Sequence, residues 1–292
     1  MTRKMTTKQQ YTWVKANVIH PDRPGRYDYL KRFRYNLRSL LHWHWIKRFE
    51  GFINRHPALI PIFNERVNYA YPLVSRFLDK RFSASKRFQY MCDNLQFLPE
   101  KLTALSKPLW EQSLSFGEVI PDFEITLSMT THQPMEGYWV LELWHKPKNE
   151  LVYLLTFAKL ENALLIAVVQ GPNFEGSKEM VKHLTKSCHG LRPAYLMVET
   201  MKALTKILGF KTLLGIPQKY QNKSRFIQSK SYTVDYDAIF SESGGQRKDY
   251  WVLPLEENRN LDDVPSKKRS MYRKRYAMLD DLAKSMTEKL GL

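Results

Sequence analysis

A chain of 292 residues with 43% apolar and 13% aromatic side chains can build a sizeable core, so disorder is not its default state. Two cysteines, Cys92 and Cys188, are too few for a disulfide scaffold or a Cys/His zinc site. The net charge of +17 is uneven: residues 1–99 carry 19 Lys/Arg against 6 Asp/Glu, 100–255 carry 18 against 16, and 256–292 carry 9 against 7. That basic first third favours anionic partners.

Residues 1–20 hold no apolar run that could form a signal-peptide core, and no stretch approaches the ~18–20 apolar residues of a membrane-crossing helix. A cytoplasmic chain that meets a membrane only at its surface is the simplest expectation.

From Phe33, apolar residues recur at Leu37, Leu40, Leu41, Trp45, Phe49 and Phe52, with Arg34, Arg38, His42, Lys47 and Arg48 between them. This spacing, close to 3.6 residues, predicts one basic amphipathic helix over 33–53, punctuated by Pro57 and Pro61. Further helices are expected at 63–82, 85–95 and 101–110. After Trp110 the pattern changes, and 123–130, 138–145, 151–157 and 163–170 read as strands. Their connectors are short enough only for antiparallel neighbours.

Helices at 177–186 and from Pro193 to Gly209 then lead to a short strand at 212–216. Because that strand follows 163–170 through helices, it can lie parallel to it. A last strand is expected at 249–255 and a basic helix at 267–289. The expected fold class is α+β: a basic helical region, 1–110, then a mainly antiparallel sheet with a helical crossover and a basic terminal helix, 111–292.

The strand at 163–170 enters the loop Gln170-Gly171-Pro172-Asn173-Phe174-Glu175-Gly176, and a second loop, His189-Gly190-Leu191-Arg192-Pro193, precedes the next helix. Free N–H groups and the helix dipole favour an anion at such positions. Gln170, Gly171, Gly176, Gly190 and Arg192 are therefore candidate anion-holding residues. Glu142, set among apolar strand residues, is a candidate general base, as is Glu199 in the crossover helix. The alternation of Glu142 with Leu141 and Leu143 would equally let it face water.

Cys188 and His189 are adjacent, a geometry that rarely lets a base activate a nucleophile, so Cys188 reads as a structural thiol. His42 and His44 point to different helix faces and cannot share one metal from there; no metal site is expected. Arg34, Arg38, Lys47 and Arg48, with Lys268, Arg269 and Arg273, are candidate contacts to an anionic partner. Basic and aromatic residues also interleave at 32–48 and 267–276, which leaves nucleic acid as a third class of partner, without any zinc-finger, RNP or helix-turn-helix signature.

The order of meander, crossover and strand over 163–216 resembles the GNAT acyltransferases. That likeness implies acyl-coenzyme A or acyl-carrier protein as donor, its phosphates held at either Gln170–Gly176 or Gly190–Arg192, with Gln170, Gly171, Gly176, Gly190 and Arg192 as cofactor-binding residues. Neither loop has the family's two closely spaced glycines after Arg or Gln. Four strings, Gln170-Gly171-Pro172, His189-Gly190-Leu191-Arg192-Pro193, Asp235-Tyr236-Asp237 and Lys268-Arg269-Ser270-Met271-Tyr272-Arg273-Lys274-Arg275-Tyr276, resemble the VirK/YbjX family of Gram-negative bacteria. The likeness spans 27–282. It implies a virulence-associated protein linked to envelope stress and antimicrobial-peptide resistance, cytoplasmic or peripheral at the inner membrane, and supplies no catalytic residues. The expected function is a GNAT-like acyltransferase near that membrane; the alternative is a non-enzymatic protein that binds anionic lipid or an acidic partner.

Overall fold

The computed structural model describes residues 10–22, 24, 27–131, 134–172, 174–222, 235–256 and 258–292. Residues 1–9 of the basic N-terminus and Asn173 of the first candidate loop lie outside the described residues. Contacts divide the chain into two compact units, Met1–Asp93 and Asn94–Leu292.

The first unit holds α1 (Ala16–Ile19), α2 (Tyr29–Leu41), α3 (Trp43–Arg55), α4 (Ile60–Glu65) and the start of α5 (Ala84–Lys101). The single helix expected over 33–53 is two helices, because His42 leaves helical geometry at φ −113° and ψ 17°. Its N–H still donates to the Arg38 carbonyl at 3.0 Å and its own carbonyl accepts from Ile46 at 3.0 Å. The break divides the apolar pattern. On α3, Ile46, Phe49, Phe52 and Ile53 are buried, and Phe49 meets Phe63 edge-on at 5.5 Å.

The helix expected at 63–82 does not form. Pro61 opens α4, which stops at Glu65, and Pro72 opens a separate 3₁₀ turn, Tyr71–Val74. Leu78 then adopts φ 56°, a left-handed conformation that no helix interior accepts.

The second unit is an eight-stranded sheet: β1 (Leu114–Ile120), β2 (Phe123–Met129), β3 (Trp139–His145), β4 (Glu150–Leu160), β5 (Ala163–Gln170), β6 (Leu213–Gly215), β7 (Gln246–Arg247) and β8 (Trp251–Leu253). Strand order is β1-β2-β3-β4-β5-β6-β8-β7. Every pair is antiparallel except β5–β6, which is parallel as the crossover requires. The crossover consists of α6 (Ser177–Ser187) and α7 (Pro193–Ile207); α8 (Tyr236–Glu242) and α9 (Ser266–Leu290) complete the unit. Leu196, Met197, Met201 and Leu204 of α7 are buried, and α7 packs on β4 and β5. The long α9 packs on β1, where Ser285 Oγ donates to the Phe116 carbonyl at 2.5 Å. The mixed α+β class is the one observed. Residues 102–110 form turns rather than the expected helix, and β1 was not anticipated.

Candidate functional site

The middle strands place one carboxylate inside the sheet face. Paired residues of neighbouring strands project to the same face. Thr126 of β2 pairs with Glu142 of β3, Glu142 with Leu154 of β4, and Leu154 with Gln170 of β5. Thr126, Glu142, Leu154 and Gln170 therefore form one row across four strands. Glu142 and Gln170 are two strand spacings apart, about 10 Å.

Glu142 is buried at 9% exposure, so the alternation does not turn it to water. Its Oε2 accepts from Trp144 Nε1 at 3.2 Å. One pleat along the same face, Val140 pairs with Thr156, and Thr156 with Val168. The Oγ1 atoms of Thr126 and Thr156 are both buried without a hydrogen-bond partner among the described residues. An unsatisfied buried hydroxyl costs about 1–3 kcal/mol, and such departures from good packing concentrate at functional sites. Sequence reading missed both threonines; only the strand register brings them to Glu142.

Beside this row β5 outruns its parallel neighbour. Pairing with β6 covers Leu164 to Ile166, and the Ile216 N–H still donates to the Ile166 carbonyl at 3.0 Å. Pro217 follows, with no N–H to extend the ladder. Beyond that point the Gln221 side chain, itself buried, donates to the Ala167 carbonyl at 3.2 Å.

At the strand end Gly171 lies against the Tyr153 ring, where an added Cβ would come within 3.0 Å. Gly176, at φ 80°, is the N-cap of α6, and among the described residues no side chain caps that helix. The first candidate loop thus has a close backbone approach at Gly171 and an uncapped helix at Gly176, next to the acidic Glu175 and Glu179.

The second candidate loop is fastened to α9. Arg275 Nε and Nη2 donate to the His189 carbonyl at 3.2 and 2.9 Å, and Gly190 (φ 78°) leaves room for Arg275 and Met271. Arg192 is exposed and lies 3.9 Å from Glu242. Glu199 is engaged by Lys202 at 2.8 Å. Cys188 is fully buried, and burial pushes its thiol up to about 12, which suits a structural thiol.

The anionic-partner candidates divide between the two units. Arg34 is exposed on α2; Arg38 reaches Tyr71 Oη at 3.5 Å; Lys47 pairs with Glu50 at 2.7 Å; the Arg48 guanidinium lies 5.0 Å from the Trp45 ring. On α9, Lys268 and Arg273 are exposed, while Arg269 Nε donates to the Val264 carbonyl at 3.0 Å.

Around Arg34 and Arg38, α2 is oriented against the usual rule. Its inward side is polar and aromatic. Tyr35 is buried with its hydroxyl on the Val14 carbonyl at 2.7 Å, Arg32 Nε donates to the His20 carbonyl at 2.8 Å, and Ser39 Oγ accepts from Trp13 Nε1. The apolar side faces out: Leu30, Phe33, Leu37, Leu40 and Leu41 are 46–70% exposed. Of ten exposed large apolar side chains among the described residues, eight lie between Tyr27 and Trp43. A contiguous stripe of this kind marks an interaction surface.

Together these features define a mixed α+β protein in which, among the described residues, no helix is long and apolar enough to cross a membrane. The chain belongs to the family described as "Protein of unknown function (DUF535)", which matches residues 25–288 and includes the VirK/YbjX proteins. It is 77% identical to an uncharacterised protein of Haemophilus influenzae over the full length of both chains. It is 65% identical to "Membrane protein LapB" of Mannheimia haemolytica over 74% of this chain and 96% of that protein. It is 24% identical to uncharacterised protein YbjX of Escherichia coli over 90% of this chain and 85% of that protein. No solved structure matches it.

Proposed function

We propose that this chain works at an anionic membrane surface, the cytoplasmic face of the inner membrane, with α2 lying in the headgroup region. The observation that carries this reading is the outward apolar stripe Leu30–Phe33–Leu37–Leu40–Leu41 with Arg34 set within it and Arg38 beside it. Such a helix buries its apolar face at the acyl boundary while its cations meet phosphate headgroups, each worth about 1 kcal/mol near an anionic surface. The name "membrane protein" borne by the Mannheimia relative fits a chain held at the surface. An effect on envelope properties, which the VirK/YbjX likeness implies, follows from that position.

Co-sedimentation with vesicles tests it. Binding is expected to phosphatidylglycerol-containing vesicles and not to phosphatidylcholine alone, and to fall as salt rises. Equal binding to both would remove the electrostatic part of the reading.

A second reading concerns the sheet unit: GNAT-like acyl transfer from acyl-coenzyme A or acyl-carrier protein. It is favoured by the end of β5–β6 pairing beside the Glu142–Gln170 row. In this reading the backbone at Gly171 and Gly176 receives the donor phosphates and Glu142 takes the proton of an amine or hydroxyl acceptor. A thermal shift with acyl-coenzyme A or acyl-carrier protein supports it, and no shift with either excludes donor binding.

A further inference from the structure

We propose that the groove between α6, the His189–Arg192 loop and the first turns of α9 binds a phosphate-bearing ligand, independently of α2. The groove measures about 770 Å³. Lys182 and Lys186 of α6, Arg192 of the loop, and Lys267 and Lys274 of α9 line it, and among the described residues no Asp or Glu does. None of the four lysines has an ion-pair partner among the described residues. The Arg192–Glu242 pair, 3.9 Å long with both side chains more than half exposed, leaves the guanidinium available.

The start of α9 adds a second, independent reason. A helix N-terminus is a positive pole that favours acids, yet α9 has no acid in its first turn and places Lys267, Lys268 and Arg269 there. Arg269 turns back onto the Val264 carbonyl and Asp262, but Lys267 and Lys268 have no ion-pair partner among the described residues. An anion held at Lys267, the groove-lining residue of that turn, would also lie near the positive pole.

The groove is also preformed. Arg275, buried at 9% exposure, ties the His189 carbonyl to α9, and its guanidinium lies 4.2 Å from the Tyr272 ring. Gly190 permits that close approach, because a Cβ would stand 3.1 Å from Arg275 Nη2. Holding the cations at fixed spacing before binding lowers the cost of gathering them. Val181 and Met271 give the same groove an apolar wall. The matching chemistry is a compact, multiply charged phosphate joined to a less polar body, from a lipid headgroup or a soluble phosphate compound.

Calorimetric titration of the full chain in about 50 mM salt, with inorganic pyrophosphate and separately with monomeric short-chain phosphatidic acid, tests this and separates the sources. Saturable binding of either, weakened about tenfold or more in Lys186→Ala/Lys274→Ala, supports the groove. Pyrophosphate binding points to a soluble ligand, and binding of the lipid alone to a headgroup. No saturable binding of either, or equal affinity in the double variant, overturns it. Affinity that instead grows with oligonucleotide length would assign the groove to nucleic acid and overturn it too. A Leu37→Ser/Leu40→Ser variant keeps these soluble interactions while losing vesicles, so failure of the α2 reading and failure of the groove are distinguishable.

Discussion

Glu142 and Gln170 stand in one cross-strand row with only Leu154 between them, although 28 residues separate them in the chain. The sheet thus brings a buried carboxylate to the same face as the strand end at which the Gln170–Gly176 loop begins. Glu142→Gln keeps the side-chain shape and can still accept from Trp144, so the fold should survive it. If the row transfers acyl groups, the variant should lose about 10²–10⁴ in rate with donor binding retained. Single-turnover kinetics and a donor thermal shift read the two separately.

Thr156 gives a stability prediction that needs no substrate. Its hydroxyl is fully buried without a partner among the described residues. Thr156→Val replaces it with a methyl of similar size and should raise unfolding free energy by about 1 kcal/mol in urea titration. A loss of similar size would mean that the hydroxyl is satisfied in solution.

His42 gives a pH dependence. Arg87 Nη2 lies 3.4 Å from His42 Nε2, and a guanidinium can only donate, so the imidazole nitrogen must accept and the ring is neutral. Burial, then Arg87 and Arg38, lower the His42 pKa from its ordinary 6.5. As pH falls, the unfolded chain takes up a proton near 6.5 while folded His42 does not. Stability is therefore full above that value and declines below it until the lower folded pKa is reached. Urea midpoints at about pH 7.5 and 5.5 should fall further for the natural chain than for His42→Gln. Equal slopes would contradict the assignment.

Both thiols should be inert in the native state. Burial pushes Cys92 and Cys188 up to about 12, far above working pH. Iodoacetamide at about pH 8 should label neither until denaturant is added. Rapid native labelling of either would show that its element opens locally.

Much of the sheet was legible because its strands are apolar runs bounded by turn residues. Residues 163–170 form β5 to the residue, and its parallel pairing with β6 follows from the helical crossover alone. β1 was not legible, since Gly117 and Glu118 interrupt its alternation and its register with β2 shifts on either side of Glu118. The helical region misled in two ways. Periodicity ran unbroken across His42, so the break there, with the apolar side chains of α2 exposed and those of α3 buried, left no mark. At 63–82 the apolar content hid Pro72 and the left-handed Leu78, which mark turns rather than a helix. Of the candidate site, Glu142 and Gln170 were visible as residue types, but their alignment depends on register, which a local pattern does not specify.

The membrane reading rests on the outward face of α2, and vesicle flotation of Leu37→Ser/Leu40→Ser tests it most directly. Both side chains are exposed, at 46% and 70%, so circular dichroism and thermal midpoint should be unchanged. Association with anionic vesicles at fixed salt should fall by about tenfold or more, as two inserted leucines are lost. Undiminished flotation of a folded double variant would contradict the account, because the stripe that defines it would then play no part in binding.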